Sequence, residues 1–163
     1  MQAFFRGTRI SGFGGQGVLL LGQILAEAGM LAGRRVSWVP SYGPEMRGGT
    51  AHCHVTLSDD EIGSPLVRHP DVLVAMNGPS LERFGADVVP GGTIVYNSSM
   101  ISSVPCRLDV TSVPVPANRI ADMHRRGLEY RNFYNINFPS PRPENRGPDG
   151  LFTAAKWTPR YSG

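Results

Sequence analysis

A glycine-rich stretch, Gly12-Phe13-Gly14-Gly15-Gln16-Gly17, separates a segment typical of a β-strand from one typical of an α-helix. The preceding residues, Phe4–Ser11, have aromatic and β-branched character. From Gln16 to Ala32 apolar residues recur at helical spacing. The residues predicted to form the buried helix face are Val18, Leu21, Ile24, Leu25, Ala28 and Leu31. A strand, a glycine turn and an amphipathic helix in this order predict the start of an α/β domain.

The following residues continue the alternation of short strands and helices. Strands are predicted at Val36–Val39, Thr50–Leu57, Asp71–Met76, Thr93–Tyr96 and Arg107–Val115, and helices at Pro79–Phe84 and Ala117–Asp122. This order predicts a three-layer, Rossmann-like α/β domain over residues 1–122, with a largely parallel sheet. The stretch Gly49–Leu57 is expected to add antiparallel pairing near an edge.

Residues 123–163 have a different composition, because prolines and arginines replace the apolar periodicity. We expect a basic tail that is extended or disordered, since each proline fixes φ and removes a hydrogen-bond donor. Residues 1–117 carry eight arginines against nine acids, whereas residues 118–163 carry eight basic residues against four acids, so the net charge of +3 arises in the last quarter of the chain. No nucleic-acid motif accompanies these charges, which favours a solvated tail over a nucleic-acid-binding one.

Length and composition exclude several classes of protein. The 163 residues suit one domain, and the apolar runs are too short to cross a bilayer. Residues 1–6 lack the apolar core of a secretory signal, so we expect a cytoplasmic protein without membrane contact. Two cysteines, Cys53 and Cys106, are too few for a disulfide scaffold or for the four thiolates of an iron–sulfur cluster.

The glycine turn has the context of a phosphate-binding loop. Gly12, Gly14 and Gly17 follow the G-x-G-x-x-G pattern, and the first amides of the following helix would face an anion. A tight strand-to-helix turn without ligand is the alternative. NAD is a poorer fit, because the second predicted strand ends at Ser37-Trp38-Val39-Pro40 without the acid that holds the ribose. A phosphorylated ligand of another shape is therefore favoured.

A second loop, Tyr42-Gly43-Pro44-Glu45-Met46-Arg47-Gly48-Gly49, leaves the carboxyl end of the second strand, where ligands collect in parallel sheets. Arg47 is a candidate for binding phosphate or carboxylate, and an ion pair within the domain or with a partner is equally open. Asn77 and Asn97–Ser99 also follow strands. They are expected to face the same cleft or to cap a helix.

The sequence His52-Cys53-His54 does not predict a metal site. On a strand the two histidines share one face and Cys53 lies on the other, and no further ligand has convincing spacing. Neither Cys53 nor Cys106 is favoured as a nucleophile, because small buried thiols are usual in protein cores.

Taken together, these segments resemble the gamma subunit of the 2-oxoacid:ferredoxin oxidoreductases, which act on pyruvate, 2-oxoglutarate or 2-oxoisovalerate. The similarity covers roughly Phe4–Asp122. It is carried by the two loops and is supported by three further segments, namely Pro70-Asp71-Val72-Leu73-Val74-Ala75-Met76-Asn77, Pro90-Gly91-Gly92 and Asn97-Ser98-Ser99. The second loop is the specific motif, because glycine turns occur in many families. After Asp122 the chain departs from the family pattern.

The resemblance implies oxidative decarboxylation of a 2-oxoacid to an acyl-CoA, with electrons passing to ferredoxin. Thiamine diphosphate and [4Fe-4S] clusters are then expected on alpha, beta and ferredoxin-like delta subunits, and none on this chain. This chain would help to bind coenzyme A and to assemble the complex, and it would be inactive alone. The implied coenzyme-binding residues are Gly12, Gly14, Gly15, Gln16, Gly17, Tyr42, Arg47, Gly48 and Asn77.

Other hypotheses remain open at this point. A free-standing NAD(P)-binding Rossmann dehydrogenase would use the same glycine turn for a dinucleotide. A non-catalytic assembly module would use it only as a turn. A homodimer is compatible with each of these.

Overall fold

The computed structural model describes residues 3–42, 49–103 and 107–125, and the following statements concern those ranges. The elements are β1 (Phe5–Phe13), α1 (Val18–Leu31), β2 (Arg35–Tyr42), β3 (Thr50–Ser58), β4 (Val72–Ala75), α2 (Gly78–Phe84), β5 (Thr93–Asn97), β6 (Thr111–Val115) and α3 (Ala117–Arg125). A 3₁₀ turn at Gly85–Asp87 follows α2. The chain divides into two units after Asn118, and the sheet belongs to the first.

The six strands form one sheet in the order β2-β3-β1-β4-β5-β6. The pairs β1–β4, β4–β5 and β5–β6 are parallel. β3 is antiparallel to both of its neighbours, so it alone runs against the other five strands. The prediction of a largely parallel α/β sheet with antiparallel pairing near one edge is confirmed. The carboxyl ends of β1, β2, β4, β5 and β6 therefore share one end of the sheet with the start of β3.

Helices cover both faces of the sheet. α1 packs on β1, β2 and β3, where it closes a core around Ile10, Cys53 and Val55. α2 packs on the opposite face, where Leu73 and Ile94 lie at the centre of a second core. This arrangement is the predicted three-layer architecture.

The two edge strands each contain a proline. Pro40 lies in β2, opposite Cys53 of β3, and Pro114 lies in β6, opposite Tyr96 of β5. Proline is tolerated at an edge because its missing N–H can be the one that points to solvent. β2 consequently continues to Tyr42, past the predicted end at Val39.

The last elements differ in extent from the expectation. β6 begins only at Thr111, so the predicted strand at Arg107–Val115 is shorter. α3 extends to Arg125, three residues beyond the predicted domain boundary at Asp122. The predicted tail from residue 126 onward lies outside the described residues.

The predicted buried face of α1 is right only for Val18, which is buried, and in part for Leu25, which is half-buried and packs against the core. The buried residues of the helix are Val18, Gly22, Ala26 and Gly29, whereas Leu21, Ile24, Ala28 and Leu31 are exposed. A Cβ on Gly22 would overlap the Cys53 Sγ atom. A Cβ on Gly29 would overlap Leu57 Cδ2. The bulky side chains of this interface belong to the sheet, and the helix approaches it through its smallest residues.

Candidate functional site

The glycine turn joins the end of β1 to the start of α1. Gly15 has φ 91° and Gly17, the N-cap of α1, has φ 75°. A Cβ on either glycine would meet nothing within 4 Å, so the positive φ rather than crowding requires glycine there. Gln16 N–H donates to Phe13 O over 3.2 Å and closes the turn.

Gly12 is required for a different reason, which is close packing. A Cβ at this position would lie 2.7 Å from Gln16 Oε1, 2.8 Å from Met76 Cβ and 2.9 Å from Val18 Cγ2. Such contacts are shorter than carbon atoms tolerate. Gly12 therefore allows the turn to pack closely against the end of β4. We interpret Gly12 as a residue that shapes the turn.

Gln16 makes its hydrogen bonds within the protein. Its Oε1 atom accepts from Phe13 N–H over 2.7 Å and from Asn77 Nδ2 over 3.4 Å. Its Nε2 atom donates to Met76 O, also over 3.4 Å. The side chain thus holds the glycine turn against the end of β4. We interpret Gln16 as a residue that positions the turn.

Asn77 is the N-cap of α2, one of the two roles considered for it from sequence. Its Oδ1 atom accepts from Ser80 N–H over 2.9 Å. Asn97 is a second buried amide, and its Oδ1 atom accepts from the N–H groups of Ser99 and Ala117. Asn97 Nδ2 donates to Met76 O over 3.2 Å and to Asn118 Oδ1 over 2.8 Å. These two asparagines therefore organise the loops at the carboxyl ends of β4 and β5.

The second loop meets the glycine turn through the main chain. Gly14 N–H donates to Gly49 O over 2.9 Å, and Phe13 pairs with Thr50 in the β1–β3 ladder. Tyr42, at the end of β2, pairs with Ala51. Its side chain, together with Arg47 and Gly48, lies outside what the structure describes.

A cavity of about 540 Å³ lies beside the glycine turn. Its lining is mostly apolar and comes from the turn, the first residues of α1 and the start of β3: Phe13, Gly14, Gly15, Gly17, Val18, Leu19, Leu20, Gly49, Thr50 and Ala51. The predicted glycines Gly14, Gly15 and Gly17 are in this lining, whereas Gln16 and Asn77 are not. Sequence reasoning missed Leu19 and Leu20, because a leucine pair in a helix gives no sign of a ligand.

The positive end of α1 points into this region. Leu21 N–H donates the first hydrogen bond of the helix, to Gly17 O over 2.8 Å, so the amides of Val18, Leu19 and Leu20 precede the ladder. In the described part of the chain no side chain caps this end, and no acid lies in the first turn. The described residues supply no acceptor for these amides, and together with the helix dipole they favour an anion here.

A cluster on the opposite face of the sheet centres on Arg9, which sequence reasoning did not single out. Arg9 is buried, forms an ion pair with Asp87 at 2.6 Å and donates to Val67 O over 2.6 Å. Its guanidinium stacks on the Phe84 ring at 4.7 Å. Arg9 thus fastens the end of α2 and the loop before β4 to the sheet, on the face opposite α1.

His52 and His54 share one face of β3, as predicted, and the structure shows that Arg9 lies on the same face. Their rings contact each other edge to face, with centroids 5.6 Å apart. Burial, followed by the charge of Arg9, lowers the pKa of both histidines. Val67 N–H donates to His54 Nδ1 over 3.2 Å, which requires that this nitrogen carry no proton.

Cys53 points to the other face, where it is fully buried beneath α1. Burial raises the pKa of the Cys53 thiol, and a hydrogen bond with Trp38 opposes part of that rise. A buried thiol with a raised pKa is a poor nucleophile. Among the described residues no group of three or more His, Cys, Asp or Glu side chains has the arrangement of a metal site.

No helix in the described ranges is long and apolar enough to be a membrane-spanning segment.

Comparison with known proteins assigns the chain to a family. Residues 7–135 match the family described as pyruvate ferredoxin/flavodoxin oxidoreductase. Ketoisovalerate oxidoreductase subunit VorA of Methanothermobacter thermautotrophicus is 51% identical over 117 residues, which are 72% of this chain and 24% of VorA. 2-Oxoglutarate synthase subunit KorC of Methanocaldococcus jannaschii is 38% identical over 116 residues, 69% of this chain and 62% of KorC.

Two solved structures share the fold. The gamma subunit of a keto/oxoacid ferredoxin oxidoreductase from Geobacter sulfurreducens has a TM-score of 0.59 and 30% identity, covering 69% of this chain and 61% of that chain. A 2-oxoglutarate:ferredoxin oxidoreductase from Magnetococcus marinus, solved with 2-oxoglutarate, coenzyme A and succinyl-CoA, has a TM-score of 0.68 and 25% identity, covering 77% of this chain and 22% of that chain. The chain thus spans less than two thirds of these relatives. It belongs to the pyruvate ferredoxin/flavodoxin oxidoreductase family and is homologous to the gamma subunits of 2-oxoacid:ferredoxin oxidoreductases.

Proposed function

We propose that this chain is a gamma subunit that helps to bind coenzyme A in a complex that oxidatively decarboxylates a 2-oxoacid to an acyl-CoA and passes the electrons to ferredoxin. The observation that carries the proposal is the Gly14–Gly49 hydrogen bond. It brings the family's specific loop to the uncapped end of α1, beside the cavity. The Magnetococcus relative, whose structure holds coenzyme A, supports the choice of ligand.

The chemistry of the cavity suits coenzyme A better than a dinucleotide. The amides of Val18, Leu19 and Leu20 would bind phosphate oxygens, and the apolar lining would receive the less polar part of the ligand. β2 ends at Tyr42 without an acid for a ribose. Arg47 and Gly48, which directly precede Gly49, are proposed to complete the site. Coenzyme A, when bound, supplies the thiol that accepts the acyl group.

The proposed division of labour rests on the cysteine count and on the family resemblance. Two cysteines are too few for the four thiolates of a [4Fe-4S] cluster, so we assign the clusters to partner subunits. The resemblance to the family assigns thiamine diphosphate to the alpha, beta and delta subunits as well. The role of this chain is to position coenzyme A and to hold the subunits together.

The proposal is tested on the chain purified with the polypeptides that accompany it in its own cells. We expect ferredoxin reduction that requires both a 2-oxoacid and coenzyme A in the complex, and none with the isolated chain. Isothermal titration of the complex with coenzyme A and with NADH separates the two ligand classes. Unaided 2-oxoacid oxidation by the isolated chain, or tighter binding of NADH than of coenzyme A, would overturn the proposal.

A further inference from the structure

The connections that follow the neighbouring strands β1 and β4 diverge. The chain leaves β1 through α1 towards β2 on one side of the sheet, and it leaves β4 through α2 towards β5 on the other side. In α/β sheets a dinucleotide binds across the gap between two such strands, with one nucleotide on each side of it. We call the gap between the carboxyl ends of β1 and β4 the switch-point crevice.

The side chain of Gln16 lies in the switch-point crevice and contacts both of its strands. Its Oε1 atom accepts from the N–H of Phe13, the last residue of β1, over 2.7 Å. Its Nε2 atom donates to the carbonyl oxygen of Met76, directly after β4, and to Met100 Sδ in the loop after β5, each over 3.4 Å. The carboxamide of Gln16 therefore bridges the two sides of the crevice.

This side chain leaves no room for a ligand at the floor of the crevice. A Cβ on Gly12 would lie 2.7 Å from Gln16 Oε1 and 2.8 Å from Met76 Cβ. In a dinucleotide-binding turn the missing side chains of the glycines let the pyrophosphate approach the main chain. Beside Gly12 there is no space even for a methyl group, and a phosphate is larger.

Gln16 also occupies the hydrogen-bond donors that a phosphate in the crevice would need. Its Oε1 atom accepts from Phe13 N–H and, over 3.4 Å, from Asn77 Nδ2. Asn77 is buried, with 2% of its surface exposed. Displacement of Gln16 by a ligand would leave its own amide and the Met76 carbonyl oxygen without this bond, and polar groups that lose their partners in a buried place are costly.

The opposite side of the glycine turn is open. The cavity lies there, between the turn and the start of β3, and its lining includes Gly14 and Thr50 but neither Gln16 nor Asn77. The amides of Val18, Leu19 and Leu20 belong to this side. A nucleotide can therefore be held between the turn and β3, but it cannot continue over the crevice towards β4.

We propose that Gln16 is a specificity-determining residue, which closes the switch-point crevice and so excludes the second nucleotide of NAD or NADP while the adenosine diphosphate part of a ligand is accepted. The inference rests on the proposed function and deepens it. Coenzyme A and the nicotinamide dinucleotides share adenosine diphosphate and differ in what is joined to it. The thin, flexible arm of coenzyme A does not have to cross from β1 to β4, as a second nucleotide does.

Isothermal titration of the purified complex with ADP and with NADH measures this exclusion. The ratio of the two affinities is the readout, because an altered turn changes the binding of the shared part of both ligands. We expect NADH to bind at least about tenfold more weakly than ADP to the unmodified complex, and Gln16→Ala, which opens the crevice, to reduce this ratio at least about fivefold. Gln16→Met removes the same hydrogen bonds but keeps the crevice filled, so its ratio should stay within about twofold of the unmodified one.

Gln23→Ala is the matched control, since it is the same substitution at an exposed position of α1 and should leave the ratio unchanged. An unchanged ratio in Gln16→Ala, an equal reduction in Gln16→Met, or NADH that binds the unmodified complex as tightly as ADP would overturn the proposal. With coenzyme A still bound, an unchanged ratio in Gln16→Ala leaves the proposed function standing. Failure of the complex to bind coenzyme A and ADP alike would reject both.

Hydrogen exchange on the unmodified complex provides a measurement that needs no variant. ADP should slow exchange of the amides of Val18, Leu19 and Leu20, which have no acceptor among the described residues. The Phe13 amide already donates to Gln16, so its exchange should not change. Slower exchange of the Phe13 amide on addition of ADP would place the phosphate in the crevice and contradict the proposal.

Discussion

The Gly14 amide donates a hydrogen bond to the Gly49 carbonyl oxygen over 2.9 Å, and this bond joins two loops that are far apart in the sequence. Phe13 and Thr50 extend the contact as partners in the β1–β3 ladder. Since β3 runs antiparallel to β1, its first residues lie beside the last residues of β1. The last residue of the second loop, Gly49, therefore lies directly beside the glycine turn.

Alanine at Gly17 should destabilise the protein by about 1–2 kcal/mol, because an L side chain disfavours the left-handed conformation that this N-cap adopts. Gly63→Ala is the control, since Gly63 has no positive φ and no atom within 4 Å of a Cβ. Urea denaturation of both variants measures the difference. Equal stability of the two would show that the turn does not require glycine at position 17.

Alanine at Gly22 should also destabilise the protein, although alanine favours helices, because its Cβ would overlap Cys53 Sγ and lie 2.9 Å from Trp38 Nε1. We expect a loss of about 1–3 kcal/mol from overpacking. The double variant Gly22→Ala, Cys53→Ala removes one of the two clashes. It should be less destabilised than the sum of the single variants, as a thermodynamic cycle measures. Additive effects would argue against close packing of α1 on β3.

The packing of α1 shows where sequence reasoning succeeded and where it failed. The order of elements followed from periodicity and from the glycine turn, because both are local properties of the chain. The buried face did not, because the pattern of Leu21, Ile24 and Leu31 was assigned to the protein's own core. Periodicity shows that a helix has an apolar stripe, but it does not show which surface covers that stripe.

For the candidate site, the sequence predicted which loops are involved but not the contacts between distant residues. The order of strands predicted that each loop leaves the carboxyl end of a strand, which the structure confirms for β1 and β2. The rule that ligands collect at those ends made the loops the candidate site, and that step stays a prediction. The hydrogen bonds of Gln16 depend on Met76 and Asn77, which are distant in sequence, and no local signal marks them. Arg9 was missed for a related reason, since its partner Asp87 is brought to it only by the fold.

Replacement of Asn97 by alanine should cost about 2 kcal/mol, because the side chain is buried and its loss removes the acceptor of the part-buried N–H groups of Ser99 and Ala117. Asn97→Asp keeps an acceptor for them and loses the bond to Met76 O. Ser98→Ala, at an exposed neighbouring position, should change stability by less than about 0.5 kcal/mol. Chemical denaturation compares the three, and an Asn97→Ala chain as stable as Ser98→Ala would contradict the assigned hydrogen bonds.

The protein should lose stability as the pH falls below about 6.5, the ordinary pKa of histidine. Burial and then Arg9 lower the pKa of His52 and His54 in the folded state, so the unfolded chain takes up protons first. The loss is at most about 1.4 kcal/mol per pH unit for each histidine, and it ends where the folded pKa values are reached. Thermal melts between pH 7.5 and pH 5 measure it. In the double variant His52→Gln, His54→Gln this pH dependence should be weaker, and an unchanged slope would contradict the assignment.

The most direct test of the proposed coenzyme site compares two substitutions at its edge that have nearly the same shape and differ in charge. Thr50 lines the cavity and is exposed, so glutamate and glutamine should both be tolerated there. Isothermal titration of the complex should show coenzyme A binding roughly fivefold to tenfold more weakly to Thr50→Glu than to Thr50→Gln, because one like charge at this range is worth about 1 kcal/mol. Thr111→Glu, on the far edge strand, should bind as the unmodified protein does. Equal affinity of the two Thr50 variants for coenzyme A would contradict an anion bound at the glycine turn.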